Sequence, residues 1–132
     1  MSLVAGKIMT KISQHFTSPM ETACRCGCGQ DIIKPELVSV LEAIRNIAGL
    51  PIIIHCWNRC PAHNERVGGV LDSQHVFGNA ADFHIKNMLI KDTHKFISNL
   101  YDDKIIPHVG YYDWGCHVDI RDGQGNWGEK IS

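Results

Sequence analysis

The sequence has no long apolar run and no excess of charge of either sign. A membrane-spanning helix needs about 20 consecutive apolar residues, and no stretch of this chain approaches that length. Lys and Arg number 13 against 14 for Asp and Glu, so we do not expect the broad basic surface that nucleic acids or anionic membranes require. These absences predict no nucleic-acid or membrane partner and favour a small or neutral substrate.

The first residues also lack a secretion signal, since no basic stretch leads into an apolar segment and a cleavage site. We therefore expect a protein that is cytoplasmic as synthesised. With 132 residues, the chain has the size of one compact domain, which buries roughly two thirds of its unfolded surface. Neither a repeat nor a linker interrupts the sequence, so we predict one domain over residues 1–132 and a monomer.

Six cysteines are present, but not in the spacing of a zinc ribbon. Cys24, Cys26 and Cys28 fall in one short stretch, and no matching C-x-x-C follows further along the chain. Disulfides between this stretch and Cys60 are one alternative. Because the sequence shows no secretion signal, free or partly oxidised thiols are the alternative that we favour.

Two segments have the periodicity of helices. From Pro35 onward, apolar residues recur every three or four positions until Gly49, which predicts an amphipathic helix that starts at a proline and ends before a glycine. A second helix is predicted from Asp92 to Leu100, with Asp92 or Thr93 as its N-terminal cap. Residues 1–30 lack periodicity and are predicted to form a loop-rich N-terminal segment.

The remaining patterns are those of strands. Pro51–Ile54 is a short β-branched run, and Ala80–Ile85 alternates in a way that places Asp82 and His84 on one face. Residues 105–112 and 116–121, separated by a turn at 113–115, predict a hairpin. The predicted fold class is therefore α+β, a small antiparallel sheet flanked by helices.

Two histidines and a carboxylate are candidates for an open metal site. If the strands that carry Asp82 and His117 are paired, these side chains lie within several ångströms of each other on one face of the sheet. Gly78 and Asn79 can turn the backbone so that His75 faces Asp82. Two imidazoles and one carboxylate leave one position free on a catalytic zinc ion, whereas a structural site takes four protein ligands.

The motifs around these residues resemble a known family. Residues 52–64 (IIIHCWNRCPAHN), 67–69 (VGG), 73–82 (SQHVFGNAAD) and 117–121 (HVDIR), followed by Trp127, are similar to the zinc D-alanyl-D-alanine carboxypeptidases. That group includes phage endolysin peptidases, and its fold and metal site are shared by lysostaphin-type enzymes and hedgehog domains. The resemblance spans roughly residues 15–128. It implies that one Zn²⁺ ion is held by His75, Asp82 and His117, with water in the fourth position.

The resemblance also implies a role for Arg59, which matches an arginine that the family holds near its metal. A fixed guanidinium can bind a substrate carboxylate or stabilise the oxyanion of a tetrahedral intermediate. Where the family commonly has Ser-Gly and a bulky residue before this arginine, the chain has Cys56, Trp57 and Asn58. This departure predicts a different pocket wall.

A zinc peptidase also needs a carboxylate that moves the proton of the attacking water. Related enzymes often have an acid three residues before the last zinc histidine, but Trp114 stands there. Asp113, on the adjoining turn, is our predicted general base. Asp119 shares a strand face with His117, and its position fits an orienting partner better than a base.

Three functional hypotheses follow. The first is a zinc metallopeptidase that hydrolyses peptidoglycan peptide stems, of the D-Ala-D-Ala carboxypeptidase or endopeptidase type, and reaches the cell wall after release from the cytoplasm. The second is a zinc-stabilised binding module of the same fold without catalysis. The third makes Cys56 or Cys116 a nucleophile beside His55 or His117, which the opposite orientation of adjacent strand residues argues against.

Overall fold

The computed structural model describes residues 2–4 and 7–132 and combines helices with two β-sheets. The helices are α1 (Pro35–Ala48), α2 (Pro61–Arg66) and α3 (Ile90–Asp102). The strands are β1 (Ser2–Val4), β2 (Lys7–Lys11), β3 (Thr17–Ser18), β4 (Ile52–Cys56), β5 (Ala80–Ile85), β6 (His108–Tyr111), β7 (Cys116–Asp119) and β8 (Gly125–Gly128). The predicted α+β class is confirmed.

The larger sheet has the strand order β4-β5-β7-β6-β8 and is antiparallel except at one edge. The predicted hairpin is present as β6 and β7, and β5 pairs antiparallel with both β4 and β7. Strand β8, which we did not predict, runs parallel to β6 and places Trp127 opposite Gly110. A Cβ atom at Gly110 would collide with the Trp127 ring, so the glycine allows this aromatic side chain to lie flat across β6.

Helix α1 follows its prediction at both ends. Pro35 occupies the first turn, and Gly49 ends the helix in the left-handed conformation, with φ of 68°. The apolar stripe of α1 is fully buried at Leu37, Leu41 and Ile44. Each such side chain contributes about 1.5–3 kcal/mol to folding relative to exposure. The stripe belongs to the same buried cluster as residues of the larger sheet, including Phe83 and Val109.

Helix α3 starts earlier than predicted. It begins at Ile90, and its cap residue is Leu89, which makes no side-chain capping bond. The prediction of Asp92 or Thr93 as the cap is therefore wrong. Thr93 instead lies in the first turn, where its hydroxyl donates to the Leu89 carbonyl at 3.1 Å. A hydroxyl that binds the preceding turn is compatible with a helix interior.

The prediction for the N-terminal segment also needs correction. Strands β1 to β3 form a small antiparallel sheet within the segment predicted to be loop-rich, whereas residues 19–34 contain neither helix nor strand. Residues 1, 5 and 6 of that predicted segment lie outside the described residues. Helix α2 was not predicted, because its six residues are too few for a periodic pattern. Among the described residues, no helix has the length and apolar character to cross a membrane.

Candidate metal centre

Strand pairing brings Asp82 and His117 together. Asp82 of β5 lies directly opposite His117 of β7, and Oδ1 of Asp82 is 2.8 Å from Nδ1 of His117. Both side chains are buried, at 7% and 6% exposure. This is the shared face that strand alternation predicts.

His75 reaches the same carboxylate from the loop before β5. Its Nε2 lies 3.1 Å from Oδ2 of Asp82. The loop turns back at Gly78, whose φ is 75° and whose N–H donates to the His75 carbonyl at 3.2 Å. A Cβ atom at Gly78 would lie 2.7 Å from the Ile32 carbonyl oxygen. Glycine is therefore required here for both its conformation and its size.

The far nitrogens of both rings are held by acceptors. Nδ1 of His75 donates to the Trp57 carbonyl at 2.9 Å, and Nε2 of His117 lies 2.8 Å from Oδ2 of Asp119. A neutral imidazole carries one proton, so these contacts leave a lone pair on each nitrogen that faces Asp82. The buried Nε2 of His75 makes no hydrogen bond. Two imidazole lone pairs and a carboxylate therefore converge. Two histidines and one carboxylate are a ligand set that fits a zinc ion.

Burial and charge act in opposite directions on these groups. Burial alone would lower the pKa of His75, but the adjacent Asp82 carboxylate and Cys56 thiol raise it to about 10. The pKa of His117 is raised as well, because Asp119 and Asp82 outweigh its burial. Burial would raise the pKa of Asp82, but the two histidines hold it well below its usual range. The arrangement thus demands positive charge between the three residues, supplied by protons or by a metal ion.

Asp119 has the contacts of an orienting residue. It is fully buried and accepts from His117 on one side. On the other side, Arg121 donates through Nε at 2.9 Å and through Nη2 at 2.7 Å. This two-bond contact fixes the carboxylate plane, and the carboxylate in turn fixes the tautomer and orientation of His117.

Arg59 lines the same cavity as His75, Asp82 and His117. Its Nη1 donates to Oδ1 of Asn64 at 2.8 Å, and its Nη2 donates to the sulfur of Cys56 at 3.4 Å. Its Nε is buried without a hydrogen-bond partner. Its backbone N–H donates to the His75 carbonyl at 3.0 Å. The guanidinium is thus anchored beside His75, and Arg59 lines the cavity, where a fixed guanidinium can bind an anion.

The converging residues line an open cavity of about 410 Å³. We did not assign Tyr112, whose hydroxyl donates to Oδ1 of Asp82 at 3.1 Å. Burial and the charge of Asp82 raise the pKa of this phenol. Trp127 packs 5.2 Å from the His117 ring, centroid to centroid, whereas Trp57 is fully buried in the core. The cavity is lined by Arg59, Val70, Ser73, Gln74, His75, Asp82, Tyr112, His117, Arg121 and Trp127.

Asp113 is not brought to these residues. It is exposed in the turn between β6 and β7 and does not line the cavity. Of the cavity-lining residues that the structure describes, Asp82 alone carries a carboxylate. The role of Asp113 as general base, like the role of His75, Asp82 and His117 as zinc ligands, stays a prediction.

Cys56 is a further neighbour that we did not predict as a ligand. Its sulfur lies 3.5 Å from Nδ1 of His75, and ligand atoms of Cys56, His75 and Asp82 lie within 4.8 Å of one another. Burial would raise the pKa of this thiol, but His75 and Arg59 lower it. We favour His117 over Cys56 as the third ligand. Cys56 contacts Nδ1 of His75, which donates its proton to the Trp57 carbonyl, whereas the nitrogen that faces Asp82 is Nε2. The register of the pairing between β4 and β5 shifts between Ile54 and Cys56.

The family model described as Peptidase M15 matches residues 11–120. That range contains the converging residues His75, Asp82 and His117 together with Arg59. A comparison with curated proteins gave no match. Because the family match covers most of the sequence, the chain belongs to the peptidase M15 family, which is of the zinc D-Ala-D-Ala carboxypeptidase type.

Proposed function

We propose that this protein is a zinc-dependent peptidase that hydrolyses peptide bonds in peptidoglycan stems, of the D-Ala-D-Ala carboxypeptidase or endopeptidase type. The observation that carries the proposal is the convergence of His75, Asp82 and His117, each with an acceptor atom directed at the same space. Family membership supports a zinc peptidase. The choice of peptidoglycan as the substrate goes beyond family membership and is part of this proposal.

In this proposal the three residues hold one zinc ion, through Nε2 of His75, a carboxylate oxygen of Asp82 and Nδ1 of His117. When bound, zinc supplies Lewis acidity that polarises a carbonyl group and lowers the pKa of water. The chain supplies the geometry. The Trp57 carbonyl and Asp119 hold the far nitrogens of the two rings, so that both lone pairs stay directed at the ion.

Arg59 binds negative charge in the cavity. Its guanidinium is held by Asn64 and Cys56, and Arg59 lines the cavity. A fixed donor that requires no reorganisation stabilises a developing oxyanion or a terminal carboxylate effectively. Arg121 also lines the cavity, although its guanidinium is engaged by Asp119. A peptide that ends in a free carboxylate is therefore the substrate that this charge distribution favours.

Proton transfer is assigned to Asp113, as predicted from the sequence. It follows Tyr112, which lines the cavity. Because Asp113 is exposed on the turn, it acts as the base only if the turn brings its carboxylate towards the cavity when substrate binds. Hydrogen bonds of catalysis often tighten only in the substrate complex.

The test is turnover of muropeptides by purified, zinc-loaded protein. Pentapeptide stems and cross-linked fragments are offered separately, and the products are identified by mass spectrometry. Loss of terminal D-Ala identifies a carboxypeptidase, and cleavage of the cross-linked fragment identifies an endopeptidase. Zinc-loaded protein with a Cys116→Ala change serves as a matched control, since Cys116 does not line the cavity. Turnover of neither substrate would contradict the proposal.

A second candidate is a zinc-stabilised binding module without catalysis. It is favoured by the observation that the cavity-lining residues described here include no carboxylate besides Asp82. This candidate predicts that zinc-loaded protein binds stem peptides with no turnover at any metal loading. Binding measured by calorimetry on the same preparations distinguishes the two candidates.

A further inference from the structure

Four cysteine sulfurs converge at a place separate from the cavity. Cys24, Cys26 and Cys28 of the irregular segment meet Cys60, which precedes α2, and their sulfurs all lie within 4.8 Å of one another. Two of the separations are 3.4 Å, between Cys24 and Cys26, and 3.7 Å, between Cys26 and Cys60. A disulfide needs about 2.05 Å, whereas sulfurs around a tetrahedral zinc at about 2.3 Å lie about 3.8 Å apart.

The backbone around these sulfurs supplies both turns and donors. Gly27 and Gly29 have φ of 84° and 93° and allow the chain to reverse direction around Cys28. A backbone N–H donates to each of three sulfurs: from Cys60 to Cys24 at 3.3 Å, from Gln30 to Cys28 at 3.4 Å and from His63 to Cys60 at 3.3 Å. Donors directed at sulfur stabilise the thiolate form, which is the metal ligand.

We propose that Cys24, Cys26, Cys28 and Cys60 form a second, structural zinc site. Four thiolates in tetrahedral spacing select a soft metal and fill every coordination position, so the site is closed to substrate. Each thiol gives up its proton on binding. The proposed catalytic centre has three ligands of another type, so this inference is independent of the proposed function. It would add a second ion to the one that the family resemblance implies.

The site would fix the wall of the cavity that carries Arg59. Cys60 follows Arg59 directly, and the side-chain amide of Gln30 donates to the Arg59 carbonyl at 3.3 Å. The backbone N–H of Ile32 donates to Asn58, and Asn58 donates to the His75 carbonyl at 3.0 Å. A metal ion bound by cysteines of residues 24–28 and by Cys60 would therefore hold in place the segment that positions both Arg59 and His75.

The first experiment measures zinc content by elemental analysis on protein purified under reducing conditions. Wild-type protein should hold about two ions per chain, and Cys28→Ser and His117→Ala should each hold about one. Cys28 is exposed, so its replacement removes little packing. Cys116→Ala is the matched control, because its thiol lies outside the cluster, and it should keep the wild-type content. Wild-type content in Cys28→Ser would overturn the proposal.

The second experiment uses cobalt as a spectroscopic probe of the thiolate site. Cobalt alone is added to metal-free wild-type protein, and thiolate-to-cobalt charge-transfer bands with intense tetrahedral visible bands are expected. In Cys28→Ser the spectrum of a four-sulfur site should be lost, although bands from the remaining thiolates can persist. In His117→Ala the thiolate-to-cobalt bands should be unchanged. Alkylation followed by mass spectrometry without reduction looks for the result that would contradict the proposal. A disulfide within the four cysteines, or full alkylation of all four at zinc saturation, would overturn the site.

Discussion

Asp119 lies 2.8 Å from Nε2 of His117, the residue two positions before it on β7, and so determines which nitrogen of that ring faces Asp82. Because Asp119 is fully buried and bound by Arg121, it cannot easily turn away from the ring. The orientation of a proposed zinc ligand is therefore set by a carboxylate that itself lies outside the cavity lining.

Replacing Asp119 by Asn should weaken zinc binding by about 10- to 100-fold, the usual effect of losing a carboxylate behind a ligating histidine. The amide still accepts from Nε2 but no longer carries the charge that makes Nδ1 basic. Zinc affinity is measured by competition with a chromophoric chelator. Asp122→Asn, an exposed neighbour, is the control and should bind as wild type does. Equal affinity in the Asp119 variant would refute the orienting role.

Zinc uptake at the cavity should release protons. In metal-free protein the pKa of His75 is about 10, so this ring holds an extra proton at neutral pH, and the pKa of His117 is raised as well. Zinc requires neutral imidazoles, so binding releases at least the extra proton of His75, and affinity rises with pH until the folded-state pKa values are passed. Calorimetry in buffers of different ionisation enthalpy gives the number released. The Cys28→Ser protein is used, so that the proposed thiolate site does not contribute. Binding without proton release would contradict the assigned ligands.

The convergence of Asp82 and His117 could be predicted because strand alternation and pairing act over short distances. A side chain on one strand and its partner on the next share a face whatever the rest of the fold does. Gly78 signalled the turn that carries His75. These patterns, with the family motifs, predicted that His75, Asp82 and His117 meet.

Other features depend on contacts that leave no periodic signal. The meeting of Cys60 with the three earlier cysteines is made by an irregular segment, whose path follows from tertiary contacts rather than propensity. Strand β8 has four residues, with glycine at both ends, and its place beside β6 depends on the fit of Trp127 over Gly110. The position of Asp113 outside the cavity likewise depends on how one turn projects its side chains.

If Asp113 is the general base, Asp113→Asn should reduce kcat by about 10²- to 10⁴-fold, the usual contribution of general acid–base catalysis. Zinc content and KM should change little, since Asp113 makes no contact with the proposed ligands. Asp102→Asn, on α3, is the control. An unchanged kcat would remove Asp113 from the mechanism and direct attention to the groups that line the cavity.

Gly78→Ala should destabilise the fold more than Gly123→Ala. Both glycines have positive φ, 75° and 83°, so each substitution carries about 1–2 kcal/mol of backbone strain. At Gly123 a Cβ would meet nothing within 4 Å, whereas at Gly78 it meets the side chain and carbonyl of Ile32. Urea unfolding of metal-free protein should therefore show the larger loss for Gly78→Ala. Equal losses would mean that the loop relaxes, and zinc affinity would then report whether His75 has moved.

Arg59→Lys should separate the geometry of the guanidinium from its charge. Lysine keeps the positive charge, but it has no rigid fork to bind Asn64 and Cys56 together while leaving a donor for the substrate. We expect kcat/KM on a pentapeptide stem to fall by about 10²- to 10³-fold, the typical effect of losing one oxyanion donor. Arg66→Lys, exposed on α2, is the matched control. If Arg59 binds the terminal carboxylate, the loss should be mainly in KM and should disappear on a substrate amidated at its C-terminus. If it stabilises the oxyanion, the loss should be in kcat and persist on both substrates. A variant as active as wild type on both would show that the anchored guanidinium is structural.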